Sequence, residues 1–201
     1  MLEAKNIGFA YRKNKPIFSG VNISINAGDR LAITGPSGCG KSTFARILAG
    51  FLRPSSGSVL FEGRALPEEG YNPVQLIFQH PEKAVNPRWH MARTLNEAWT
   101  PPPEFLQEMG IEAAWLSRYP RELSGGEIQR FAIARALSPQ TRVLIADEIS
   151  VMLDTITQAQ IWEALLGIIE KRRLALIVIT HSPQLAERVA TRITHFGDLT
   201  G

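Results

Sequence analysis

The sequence predicts an α/β fold, an open and mainly parallel sheet with helices on both faces. Two observations predict it. Short apolar runs rich in β-branched residues recur at 30–35, 74–78, 142–146 and 174–180, each about the length of a buried strand. Helical patterns stand between them, and strand–helix–strand order gives parallel strands covered on both faces. RLAITG (30–35) runs into KSTFARILAG (41–50), read as a helix. VQLIF (74–78), RVLIA (142–146) and LALIVIT (174–180) are the further buried strands, and TQAQIWEALLGIIEKR (157–172) is an amphipathic helix between the last two. Ser182-Pro183 opens another helix, with Ser as N-cap and Pro at the first helical position. A last core strand is expected at Arg192–Phe196.

Two regions break the alternation. Residues 1–30 and SGSVLFEG at 56–63 read as hairpins punctuated by Gly28-Asp29, Ser56-Gly57 and Gly63, which predicts an antiparallel sheet against the core. The segment from about Pro81 to Leu137 carries no strand signal, is interrupted by Pro101–Pro103, and holds Trp89, Trp99 and Trp115. It is expected to be a helical subdomain inserted between two core strands, with its tryptophans in the core rather than serving as ligand platforms. The whole of 1–201 is then one domain, residues 1–30 and 56–63 forming its β subdomain and 81–137 its helical one.

Composition narrows the function. A chain of 201 residues, 44% apolar and 20% charged, is long enough for one buried core and too short for two catalytic domains. Its longest apolar run is the six residues Leu174–Ile179, against about 20 for a membrane helix. The N-terminus MLEAKNIGFAYRK lacks the apolar stretch of a secretory signal. The single cysteine, Cys39, excludes a disulfide framework, argues against a Cys-based zinc site and fits a reducing compartment. A net charge of +3 is spread along the chain, without the basic face or arm of a nucleic-acid binder.

Gly35-Pro36-Ser37-Gly38-Cys39-Gly40-Lys41-Ser42 fits G-x-x-x-x-G-K-[ST] and stands between a buried strand and a helix, where that pattern has its physical meaning. Glycines let successive backbone amides turn inward around phosphate oxygens. The helix that follows points its positive end at the same place. Lys41 supplies a point charge near the β- and γ-phosphates, and Ser42 a hard oxygen for Mg²⁺. Cys39 reads as a small residue filling the loop rather than a nucleophile, having no base beside it in sequence. The core expected is therefore that of a P-loop NTPase, RecA-like in its mainly parallel sheet. RVLIADE (142–148) ends a buried strand in two acids, which a parallel sheet delivers to the crevice at its carboxyl edge. Asp147 is suited to hold Mg²⁺, and Glu148 to accept a proton from an attacking water.

Leu123-Ser124-Gly125-Gly126-Glu127, with Gln129-Arg130 after it, resembles the signature of ATP-binding cassette (ABC) transporter ATPases. Read on its own, Ser124-x-x-Glu127 is a capping box, and Leu123 with Ile128 can form a hydrophobic staple. Two glycines at the first helical positions weaken that helix, which makes sense if its backbone approaches an anion closely. The resemblance runs along essentially the whole chain. Tyr11 looks like the aromatic residue that stacks on adenine, Gln79 like the Q-loop glutamine, Asp154 like the end of the D-loop, and His181 in VITHS like the switch histidine. It implies ATP and Mg²⁺ as cofactors. ATP would be bound by Tyr11 and the loop Gly35, Pro36, Ser37, Gly38, Cys39, Gly40, Lys41, Ser42 and Thr43 of one chain, with Ser124, Gly125, Gly126, Glu127 and Asp154 of the opposite subunit. Ser42, Gln79 and Asp147 would serve the metal, and Glu148, His181 and Gln79 catalysis. Asp154 is also a good N-cap for a helix from about Thr155.

QHPEKAVNPRW (79–89), YPRELSGGE (119–127) and the D-x-x-x-Q-A-Q-I pattern (154–161) look like the ATPases of peptide and nickel importers. Such importers resemble assemblies of two ATPase subunits, identical or paralogous, two membrane-spanning permease subunits and a substrate-binding protein, with the ATPases peripheral on the cytoplasmic face. No nucleic-acid partner is expected. The alternative is a non-transport cassette switched by ATP; repair members insert a long coiled coil, for which this chain has no room, and ribosome-associated ones carry two cassettes. A small-molecule kinase would leave LSGGE unexplained. Two departures stand out: Ile149 where the family usually has Pro, and Val151-Met152 where its D-loop usually reads Ser-Ala. The C-terminal extension common in such ATPases is expected to be short or absent.

Overall fold

A computed structural model of the chain describes residues 1–12 and 15–200. The N-terminal hairpin signals become β1 (Leu2–Arg12) and β2 (Lys15–Ile25), paired antiparallel. After β3 (Arg30–Thr34) and α1 (Lys41–Leu48), the chain returns to this sheet as β4 (Ser56–Phe61) and β5 (Arg64–Ala65), giving the order β2-β1-β4-β5. It then enters the second sheet as β6 (Val74–Ile77).

A segment without strands follows, from a short 3₁₀ turn at Pro81–Lys83 through α2 (Met91–Leu95) and α3 (Pro103–Glu108) to α4 (Gly125–Ala136). Next come β7 (Val143–Asp147), α5 (Thr155–Arg172), β8 (Ala175–Ile179), α6 (Pro183–Val189) and β9 (Arg192–His195). The second sheet is parallel throughout, in the order β6-β7-β8-β3-β9.

The period of two along a strand sorts the parallel sheet into two cores. Val143 and Ile145 of β7, with Ala175, Ile177 and Ile179 of β8, join a cluster shared with α1 and the antiparallel sheet. Their neighbours Leu144, Ala146, Leu176 and Val178 face the opposite cluster, with α4, α5 and the fully buried Trp162. Every residue of β7 and β8 is buried, which is why these strands read as continuous apolar runs rather than alternating ones. Each such Val, Leu or Ile side chain contributes about 1.5–3 kcal/mol by leaving water.

The tryptophans of the helical segment meet the core expectation unevenly: Trp115 packs against the second core cluster, whereas Trp89 and Trp99 belong to neither cluster. Trp89, Trp99 and Trp115 are each only half-buried. The Arg93 guanidinium lies over the Trp89 ring, 3.9 Å from its centroid. Trp99 donates Nε1 to the Ala134 carbonyl at 3.1 Å, which keeps its polar edge at the border of the core. Among the described residues no helix is long and apolar enough to cross a membrane.

Candidate functional site

The carboxyl ends of β3, β6, β7 and β8 deliver the loops that carry the chemistry, as an open α/β sheet requires. The loop after β3 turns through Gly35, Gly38 and Gly40, at φ 146°, 78° and 109°. At Gly40 a side chain is excluded twice over. The backbone is left-handed, and a Cβ would stand 2.8 Å from Ile17 Cγ2 and from Phe18 Cδ1 of β2. Gly40 is also the N-cap of α1 and brings no side-chain hydrogen bond to it. The first amides of the helix are thus left for an anion. Lys41 is 5% exposed and donates Nζ to the carbonyls of Gly35 and Pro36, both at 2.8 Å. Cys39 is half-buried, its Sγ 3.8 Å from that ammonium.

Ser42 Oγ donates to Asp147 Oδ1 at 3.0 Å, joining the start of α1 to the end of β7. Burial pushes the Asp147 carboxyl above its ordinary 3.8, and the Ser42 hydrogen bond partly offsets the push. Ser42, Gln79 and Asp147 line one cavity of about 310 Å³. A hydroxyl, a carboxamide oxygen and a carboxylate are a hard-oxygen set that fits Mg²⁺.

Glu148, next in sequence, takes φ 50°, an unfavourable region for a residue with a Cβ. Its amide donates to the Ile179 carbonyl at 3.0 Å. Its carboxylate lies between two polar side chains, Gln79 Nε2 at 3.4 Å from one oxygen and His181 Nδ1 at 3.4 Å from the other. Tyr11, 61% exposed, has its hydroxyl 3.2 Å from Thr43 Oγ1. Tyr11, Ser37, Lys41, Ser42, Gln79 and Glu148 are among the residues lining a depression of about 390 Å³. An aromatic face, a ring of amides, a cation and a carboxylate therefore meet where a nucleotide can lie with its base on Tyr11 and its phosphates on the loop.

The Ser124 residue set lies elsewhere. Ser124 caps α4: its Oγ accepts from the Glu127 amide at 3.3 Å, and Glu127 Oε2 accepts from the Ser124 amide at 2.6 Å. Asp154 caps α5, its Oδ1 accepting from the amides of Ile156 and Thr157 at 3.0 and 2.9 Å. Ser124, Gly125, Gly126, Glu127 and Asp154 line a second depression of about 360 Å³, which shares no residue with that of the phosphate loop.

Comparison with known proteins shows the family of the chain that carries these two depressions. Residues 18–151 match the ABC transporter family. The chain belongs to that family. It is 34% identical over 206 aligned positions to the nickel import system ATP-binding protein NikE of Staphylococcus aureus, strains MSSA476 and N315 among others, covering 96% of this chain and 85% of the relative. Its fold superposes on the dimeric, post-hydrolysis ATP-binding cassette MJ0796 bound to ADP and Pi with a TM-score of 0.83, at 25% identity, covering 97% and 94% of the two chains. It also superposes on cbiO1 of Clostridium perfringens, part of the cbiONQ transporter complex, with a TM-score of 0.79 at 24% identity, covering 96% and 83%. The chain is thus an ABC ATPase that uses ATP with Mg²⁺.

The departures from the usual ABC pattern find their places. Ile149 is 3% exposed and fills the second core cluster. Val151 and Met152 stand out at the surface, with Ile156 beside them in sequence. Asp154 keeps its cap regardless. Four residues of the site's surroundings have no signature of their own in the sequence: Ser150, Thr157, Gln158 and Trp162. The only pointer to them is the QAQI run, which marks a subfamily without saying what its glutamines touch.

Proposed function

We propose that this chain is the ATP-hydrolysing subunit of a membrane importer, with nickel, a metal chelate or a peptide as cargo. It works as one cassette domain, peripheral on the cytoplasmic face and pairing head to tail with a second ATPase subunit, identical or paralogous. The observation that carries this reading is the separation of the two depressions: the phosphate loop and the Ser124 helix end line different depressions with no residue in common. Two chains arranged head to tail bring one half of each together, twice. ATP binds this closed pair better than the open one, and so shifts the population toward it. The curated relatives are named as nickel-import ATPases, which favours a metal cargo.

In each composite site the loop amides and Lys41 hold the β- and γ-phosphates, and Tyr11 holds the adenine. Ser42, Gln79 and Asp147 would hold Mg²⁺, which would neutralise charge on the phosphate oxygens. Water attacks the γ-phosphorus and the bond to the bridging oxygen of ADP breaks. Glu148 accepts the proton of the attacking water, and Gln79 and His181 orient the carboxylate and that water. Ser124 and the amides of Gly125 and Gly126 approach the γ-phosphate from the opposite chain.

A groove of about 250 Å³ runs between the end of β6 and the helical segment, lined by Phe51, Phe78, Ala84, Glu97 and Arg135 among others. We assign it to the permease subunits, because Gln79 follows directly on its wall and passes on any movement there. Glu148→Gln keeps the shape and removes the base. It should lower turnover about 10²–10⁴-fold and accumulate an ATP-bound dimer by size-exclusion chromatography. Wild-type turnover in that variant removes Glu148 from its role. Copurification of ribosomes or DNA instead of membrane subunits replaces the importer with the non-transport alternative.

A further inference from the structure

The Gln158–Ile161 run has no part in the ATP site as built above. Its two glutamines leave α5 on opposite sides, since residues two apart on a helix are about 200° apart. Gln158 donates Nε2 to Ser150 Oγ at 2.8 Å. Trp162, four residues on, donates Nε1 to the same oxygen at 3.1 Å. Ser150 is 2% exposed, and these two bonds use both lone pairs of its hydroxyl. On the other side Gln160 Oε1 accepts from Arg130 Nη2 of α4 at 3.0 Å, and Arg130 Nη1 donates to the Met109 carbonyl at 2.9 Å.

Ser150 lies two residues beyond Glu148. A left-handed backbone at a residue with a Cβ persists only where its surroundings hold it. On the N-terminal side Glu148 is held by its bond to Ile179. On the C-terminal side the buried Ile149 and the doubly bonded Ser150 hold the turn, after which Val151 and Met152 are exposed. We propose that Gln158 is a positioning residue for Glu148, acting through Ser150. Gln160 ties the same helix to the signature helix through Arg130. This rests on the reading of Glu148 as the base.

The test is steady-state ATP hydrolysis by the purified full chain, with Glu148→Gln measured in parallel. Gln158→Leu keeps the bulk and removes the donor. It should lower kcat about tenfold or more, with KM for ATP changed less than about twofold, because the phosphates are held by another loop. Ser150→Ala should do the same, and the double variant should be no slower than the slower single one. Ser150→Thr, which keeps the oxygen, and Gln158→Glu, which accepts a bond from the Ser150 hydroxyl, should retain most of the rate. These two conservative variants carry the test if Gln158→Leu does not fold. An unchanged kcat in Gln158→Leu and Ser150→Ala, losses that multiply in the double variant, or losses confined to KM overturn the proposal. If Glu148→Gln retains activity, the reading of the base fails and this proposal falls with it. If Glu148→Gln is inactive while Gln158→Leu is not, only the positioning role fails.

Discussion

The two glycines of LSGGE stand side by side and answer to different forces. A Cβ on Gly126 would meet Thr157 Cγ2 of α5 at 2.7 Å, whereas one on Gly125 would meet nothing within 4 Å. Helix packing therefore favours glycine at 126, a force separate from the anion approach expected for both positions. Gly125 is the one with open space in front of it, where a phosphate of the opposite subunit can come close. Gly126→Ala should cost about 1–3 kcal/mol of stability in chemical denaturation, the usual range for overpacking. Thr157→Ser, which removes the methyl it would strike, should restore most of that. Gly125→Ala should leave stability equal or raise it by up to about 1 kcal/mol, as Ala does in a helix, while lowering ATP turnover. A Gly126→Ala protein as stable as wild type, or a Gly125→Ala protein with full turnover, would assign the pair the other way.

Helix α5 shows what is local in this fold and what is not. Its start was legible in one residue, because an Asp before a helical pattern satisfies amides that the helix itself leaves unpaired. The same holds for the Ser124–Glu127 box, for the Gly-rich loop with its fixed spacing, and for strands β3, β6, β7 and β8, whose apolar runs record burial on both faces. Contacts between elements leave no such trace. Nothing in the spacing of Thr157 points to Gly126, nor does that of Ser150 point to Gln158. Trp89 and Trp99 mislead because size favours burial while a neighbouring arginine covers the one and the polar edge of the other bonds a carbonyl at the border. The cap yields a prediction with a sign. Hydrogen bonds from Thr157, with a further one from the Ile156 amide, hold the Asp154 carboxyl below its ordinary 3.8. A group depressed on folding stabilises the protein above its unfolded value and loses that effect as pH falls through its folded value. The gap in Tm between wild type and Asp154→Ala should thus be constant from about pH 5 upward and narrow below 3.8. A gap that stays the same down to about pH 3 would mean that the cap works without its charge.

At the scale of the molecule, the phosphate-loop residues and the Ser124–Asp154 set line separate depressions, and under the proposed head-to-tail pairing a partner chain would complete each of them. The groove at the end of β6 is the docking place proposed above for a membrane subunit. Phe51 is 60% exposed on its wall, its ring centroid 5.4 Å from that of Phe78, which directly precedes Gln79. Opposite, Arg135 holds the groove's shape by bonding Glu97 at 2.8 Å and the Ala84 carbonyl at 2.9 Å. An exposed aromatic over a preformed slot is the kind of side chain that anchors an interface, and truncating such an anchor costs about 2 kcal/mol or more. Phe51 lines this groove and not the depression of the phosphate loop, so Phe51→Ala should keep the ATPase rate of the isolated chain. It should weaken retention of the permease subunits in copurification by about tenfold or more and remove their stimulation of hydrolysis. Disruption of Arg135 by Arg135→Ala should give the same separation of effects with a smaller loss, since it reshapes the slot without removing the anchor. If Phe51→Ala binds the permease subunits and is stimulated like wild type, they dock elsewhere, and Gln79 is moved by the nucleotide alone.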